Sequence, residues 1–152
     1  MRFEYTAIIS SAADTGEAVV IFRPEVRITI RGPKGSREAR ALVDTGADNT
    51  IFPLSVAHDL GIPVASATGP AAHAFGGQEI ALSYADVELE LVHADGRLRW
   101  LAHVYFLAGN MEEETIILGH QGFLDYFTAT FMGEQCVLEL EPNSYLPQLA
   151  SP

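Results

Sequence analysis

Apolar and polar residues alternate along most of this chain, and short turns break the alternation at close intervals. Val26, Ile28 and Ile30 fall on one face of a strand over residues 25–30. Gly32-Pro33-Lys34-Gly35 then supplies a turn and residues 38–43 return, which predicts a hairpin. A second hairpin is predicted from Val87, Leu89 and Leu91, the turn Ala94-Asp95-Gly96, and a longer returning strand over 97–107. A third joins residues 5–9 to 18–22 across Asp14-Thr15-Gly16. Two further strands, 128–132 and 135–140, meet at Gly133. Helical patterning is brief. Val56 and Leu60 share a face over 53–63, where Gly61 suits a C-terminal cap and Pro63 prevents continuation. Phe123, Leu124 and Phe127 predict another short amphipathic helix. The expected fold class is all-β with one or two short helices.

One stretch departs from what a core needs. Residues 41–52 read Ala-Leu-Val-Asp-Thr-Gly-Ala-Asp-Asn-Thr-Ile-Phe. A buried strand that ends on a carboxylate, a hydroxyl and a glycine presents Asp44 at the floor of a cleft. The hydroxyl can hold the loop, and the glycine lets the backbone turn and another group come close. The tripeptide alone is not diagnostic, because Asp14-Thr15-Gly16 repeats it with no apolar strand feeding in. That copy is expected to be only a turn.

The flanks of Asp44 resemble the active-site loop of the aspartic peptidases, in particular the single-lobe retropepsin type. Two other segments keep the family's order. Ala74-Phe75-Gly76-Gly77-Gln78-Glu79-Ile80 lies where the family carries its flap, and Ile116-Ile117-Leu118-Gly119 resembles the strand and glycine beneath its catalytic loop. The resemblance implies a closed β-barrel lobe over residues 24–141, with an N-terminal extension at 1–23 and a tail at 142–152. It implies catalytic roles for Asp44, Thr45 and Gly46. It also implies substrate contacts at Ala47 and Asp48, with Phe75, Gly76 and Gly77 as flap. After the Ile-Leu-Gly, His120-Gln121 stands where retroviral relatives often carry a basic residue or Asn, then Asp or Asn. That puts their polar contact near the dimer interface in doubt.

The chemistry such a site needs can be stated from first principles. Two adjacent carboxylates cannot both ionise, so they share a proton; one acts as base toward water and the other as acid toward the carbonyl oxygen. No metal or covalent intermediate is required, and no cofactor is expected. A 152-residue chain is one domain of ordinary size and offers one such loop. The resemblance therefore implies a homodimer, with Asp44 from each copy beside a two-fold axis and a polypeptide as substrate. The alternative is a catalytically silent module of the same fold, serving dimerisation or peptide binding. An unrelated β-barrel ligand binder would account for the strands but not for the Asp44 loop.

Charge narrows the partners. The net charge of -11 repels a phosphate backbone and an anionic lipid surface, so neither nucleic acid nor membrane is an expected partner. No run of about 18 apolar residues suggests a spanning helix. Met1-Arg2-Phe3-Glu4-Tyr5 does not read as a secretory signal, and the single Cys136 cannot form an internal disulfide, so a cytoplasmic protein with one buried thiol is expected. The five histidines have no metal-ligand spacing. His120, beside Gly119, is the one expected near the Asp44 loop.

Overall fold

The computed structural model describes residues 1–68, 72–73, 79–80, 82–94, 96–108 and 115–147; for 72–73 and 79–80 it describes the backbone alone. In chain order the strands are β1 (Arg2–Glu4), β2 (Thr6–Ser11), β3 (Ala18–Arg23), β4 (Glu25–Gly32), β5 (Gly35–Val43) and β6 (Ile51–Pro53). The helix α1 (Leu54–Leu60) and β7 (Ala65–Ser66), β8 (Ala72–His73) and β9 (Glu79–Ile80) come next. Then follow β10 (Leu82–His93), β11 (Gly96–Leu107), β12 (Ile116–Leu118), β13 (Phe127–Met132) and β14 (Val137–Pro142).

Six of these strands close on themselves in the order β11-β6-β12-β5-β4-β10, with β10 pairing back onto β11. The long hairpins β4–β5 and β10–β11 form most of the wall, as their alternation predicts. Closure falls to two three-residue strands. β12 pairs parallel to β5 and antiparallel to β6, and β6 pairs parallel to β11. Val26, Ile28, Ile30, Val87, Leu89 and Leu91 point inward and are buried, together with Trp100, Val104 and Phe106 from β11. α1 plugs one end with Val56, Ala57 and Leu60, and Gly61 ends it at φ 64 in the left-handed cap.

A second sheet, β1-β14-β13, lies beside the barrel. Trp100, Phe123 and Phe127 join the two, with ring centroids 4.8 to 5.9 Å apart. The Trp100 indole N–H donates to the Gly122 carbonyl at 2.9 Å, so this buried polar atom is satisfied. The expected helix around Phe123 is reduced to a single 3-10 turn, Leu124–Tyr126. Phe127 must be extended to pair with Pro142, which leaves no room for a second turn. Cys136 also differs from expectation. It is half-buried in a left-handed turn at φ 52 before β14, not buried within a strand, because the 3-10 turn Gly133–Gln135 takes up the connection.

One outward-facing residue behaves as a core group. Glu90 on β10 is 1% exposed, covered by Arg31 at 3.2 Å, Arg97 at 3.1 Å and the Arg99 side chain. Burial alone would push its carboxyl up. Hydrogen bonds from Arg99 and Arg31, with their charges, outweigh burial and hold it below the ordinary carboxylate range. A carboxyl lowered in the folded chain stabilises above its unfolded value, about 4.3, and that contribution is lost as pH falls through the folded value. Glu90→Gln is expected to cost about 2 kcal/mol at neutral pH, in the range of hydrogen bonds to charged groups. It should also flatten the loss of stability below about pH 4.5. Urea midpoints at neutral and acid pH check this; parallel pH profiles for the two proteins would refute it.

Candidate active site

Val43 is the last residue of β5 and is buried; its register partner is Leu118, the last residue of β12. Asp44 follows as the barrel wall ends. Its backbone N–H still donates to the Leu118 carbonyl, at 3.0 Å. The carboxylate Oδ1 accepts the Gly46 N–H at 2.8 Å, and the Ala47 N–H reaches the Asp44 carbonyl at 3.3 Å. This is an Asx turn, the local reason an Asp followed by a glycine two residues on folds as it does. Asp44 and Ala47 are half-buried, while Thr45, Gly46 and Asp48 are exposed. The carboxylate is thus fixed by one hydrogen bond and still reaches solvent.

Beyond the turn, the loop is clamped to the segment after β12. Ala47 O accepts the His120 N–H at 2.9 Å, Asp48 O accepts the Gln121 N–H at 2.9 Å, and the Thr50 N–H donates to Gln121 O at 3.0 Å. Gly119 passes directly beneath. A Cβ there would lie 2.3 Å from the Asn49 carbonyl oxygen and 2.6 Å from that of Ala47. The Ile-Leu-Gly is therefore a steric requirement of the crossing. The His120-Gln121 departure loses none of these contacts within the chain, since backbone amides make them and any residue type supplies those. The His120 side chain adds one more, with Nε2 3.1 Å from the Thr45 carbonyl oxygen.

The residues from Asp44 to Asp48 are thus brought together on one clamped loop. Of the flap segment, β8 and β9 pair antiparallel through Ala72 with Ile80 and His73 with Glu79. Phe75, Gly76 and Gly77 lie outside the described residues. Thr50 was given no role by the sequence reading. It is fully buried behind the loop and its Oγ1 has no hydrogen-bond partner among the described residues. Its one signal was a hydroxyl residue set against the apolar Ile51-Phe52.

The other Asp-Thr-Gly has none of this support. Gly16 sits at φ 71 at the tip of the β2–β3 hairpin, its N–H donating to Ala12 O at 2.8 Å, and Asp14 is exposed. Asp14→Ala is expected to leave both the urea midpoint and any peptidase rate within about twofold, as for an exposed turn residue. A rate loss matching that of an Asp44 substitution would mean the two loops had been confused.

Among the described residues no group of three or more His, Cys, Asp or Glu could hold a metal ion, and no helix is long and apolar enough to cross a membrane.

A six-stranded barrel carrying Asp-Thr-Gly on a strand-end loop is the arrangement of an acid-protease lobe. The family model described as "Aspartyl protease" matches residues 26–120, more than half of the chain, and this chain belongs to that family. Among solved structures, it is similar to an EIAV protease complexed with the inhibitor HBY-793. The identity is 17% and the TM-score 0.41, over 64% of this chain and 82% of that one. A search of curated proteins finds no match.

Proposed function

We propose that this chain is one half of an aspartic endopeptidase, with a carboxylate dyad formed by Asp44 from two copies. The observation that supports this best is the Asp44 loop. Its carboxylate is fixed by the Gly46 amide, half-exposed just after the buried last residue of β5, in a chain of the aspartyl protease family. In the dimer the two carboxylates share one proton. The ionised one takes a proton from water as the water oxygen bonds to the scissile carbonyl carbon. The protonated one gives its proton to the carbonyl oxygen. The resulting gem-diol collapses as a proton passes to the amide nitrogen and the C–N bond breaks. Thr45 flanks the dyad, where its carbonyl is already held by His120. Gly46, Ala47 and Asp48 are the residues proposed to contact an extended polypeptide, with Phe75, Gly76 and Gly77 proposed as its flap.

Cleavage of an unstructured polypeptide across about pH 4 to 7.5, run beside sedimentation equilibrium, tests the reading. The shared proton predicts an acid-side optimum. The charge of -11 per chain opposes association at low salt, so dimer and activity should rise together as salt is added or pH falls. Full activity in a strict monomer would defeat the shared dyad. A stable dimer with no cleavage at any pH would assign the chain to the silent, peptide-binding or dimerising module.

A further inference from the structure

The β2–β3 hairpin wears its apolar face outward. Antiparallel pairing puts Ile9 opposite Val20 and Ala7 opposite Phe22, so these four share one face. That face is the exposed one: Ile9 is 79% exposed, Val20 59% and Phe22 54%. The opposite face, with Ile8 and Ile21, is half-buried. A hairpin with one solvated side ordinarily puts polar residues there. Its outer face also lacks the charges that protect exposed strands: residues 6–11 and 18–22 contain no Asp, Glu, Lys or Arg, and Arg23, which ends β3, falls on the opposite face. Among the described residues no third strand pairs with it, and a lone two-stranded hairpin is marginal in water.

We propose that this outer face docks against a second copy of the chain. Three observations select that occupant. The hairpin's root adjoins the candidate site, because Pro24 O accepts the N–H of Val43, the residue before Asp44, at 2.9 Å. A two-fold axis at Asp44 therefore passes near both hairpins. Charge points the same way: at -11 per chain two copies repel, and residues 6–11 and 18–22 add nothing to that repulsion. Size is the third. A stable interface needs about 800 Å² from each partner, and Ile9, Val20 and Phe22 put exposed large apolar side chains on this face. The choice of occupant rests on the dyad reading, but the contact is tested without it.

Ile9→Lys and Phe22→Glu, singly and together, are followed by sedimentation equilibrium. Urea midpoints in dilute protein serve as the folding control. The expected result is a dimer dissociation constant raised at least about tenfold by each, with an unchanged dilute midpoint. Amide hydrogen exchange of the unaltered chain gives a second readout that no variant can spoil. Protection over residues 6–11 and 18–23 should rise with protein concentration. An unaltered chain that stays monomeric overturns the proposal, as does a dimer indifferent to both substitutions, or exchange in the hairpin that ignores concentration. A dimer weakened by both substitutions but inert toward peptides at every pH leaves this contact standing and removes the catalytic reading instead.

Discussion

Asp44→Asn is expected to abolish peptide hydrolysis, lowering the rate by about 10³-fold or more, while leaving the fold intact. The two halves of that expectation have separate causes. The asparagine side-chain oxygen can still accept the Gly46 N–H that Asp44 Oδ1 accepts at 2.8 Å, so the Asx turn keeps its bond. The position is half-exposed, and among the described residues no ion pair to it would be broken. The urea midpoint should therefore move by no more than about 0.5 kcal/mol, as for other surface changes. An amide can neither take a proton from water nor hold one for the carbonyl oxygen, and acid–base catalysis of this kind contributes about 10² to 10⁴. Mixing gives a sharper readout than the rate alone. If each site needs Asp44 from both copies, mixing Asp44→Asn chain with the unaltered protein at constant total concentration should lower activity as the square of the unaltered fraction. A linear decline would mean that each chain carries a complete site.

The parts of this molecule that were legible in its sequence are those set by local rules. The β4–β5 and β10–β11 hairpins follow from period-two alternation and Gly-containing turns, and α1 from Val56, Leu60 and the Gly61 cap. The Asp44 loop was legible because an apolar run into Asp-Thr-Gly has few structural uses. Barrel closure was implied by the resemblance and not by local pattern, since β6 and β12 have three residues each and three residues carry no period. Their pairings are parallel to strands distant in sequence, which no local signal encodes. The burial of Glu90 had no signal in the sequence, because it is made by Arg31 on β4 and by Arg97 and Arg99 on β11. The hairpin before β4 was legible as a hairpin. Its inverted face was not, because with apolar residues at both Ile8 and Ile9, and again from Val19 to Phe22, alternation does not say which side meets the body.

Gly119→Ala is expected to cost about 3 kcal/mol, the upper end for one added methylene in a packed site, and to lower any peptidase activity further than the lost stability explains. The cause is not backbone conformation, since Gly119 is absent from the positive-φ glycines. It is contact: the new Cβ would stand 2.3 Å from Asn49 O, 2.6 Å from Ala47 O and 2.7 Å from the Asn49 carbonyl carbon, all backbone. No side chain can swing aside to relieve it. The loop could move away only by giving up the bonds from His120 N–H to Ala47 O and from Gln121 N–H to Asp48 O, at about 1 kcal/mol each. Gly119 itself is tied on its other side, its carbonyl accepting the Leu124 N–H at 2.9 Å. The displacement therefore falls on the loop that carries Asp44, and misplacing a reacting group by about 1 Å costs about 10²-fold. Gly46→Ala is the control. Among the described residues its Cβ would meet only Asp44 Oδ1, at 3.2 Å, so its stability should change by less than about 1 kcal/mol. Urea denaturation of the two variants, read beside peptide cleavage in protein shown to be folded, separates the cases. Equal midpoints for Gly119→Ala and Gly46→Ala would mean that the crossing beneath the loop is looser than 2.3 Å implies, and that Gly119 does not hold Asp44 in place.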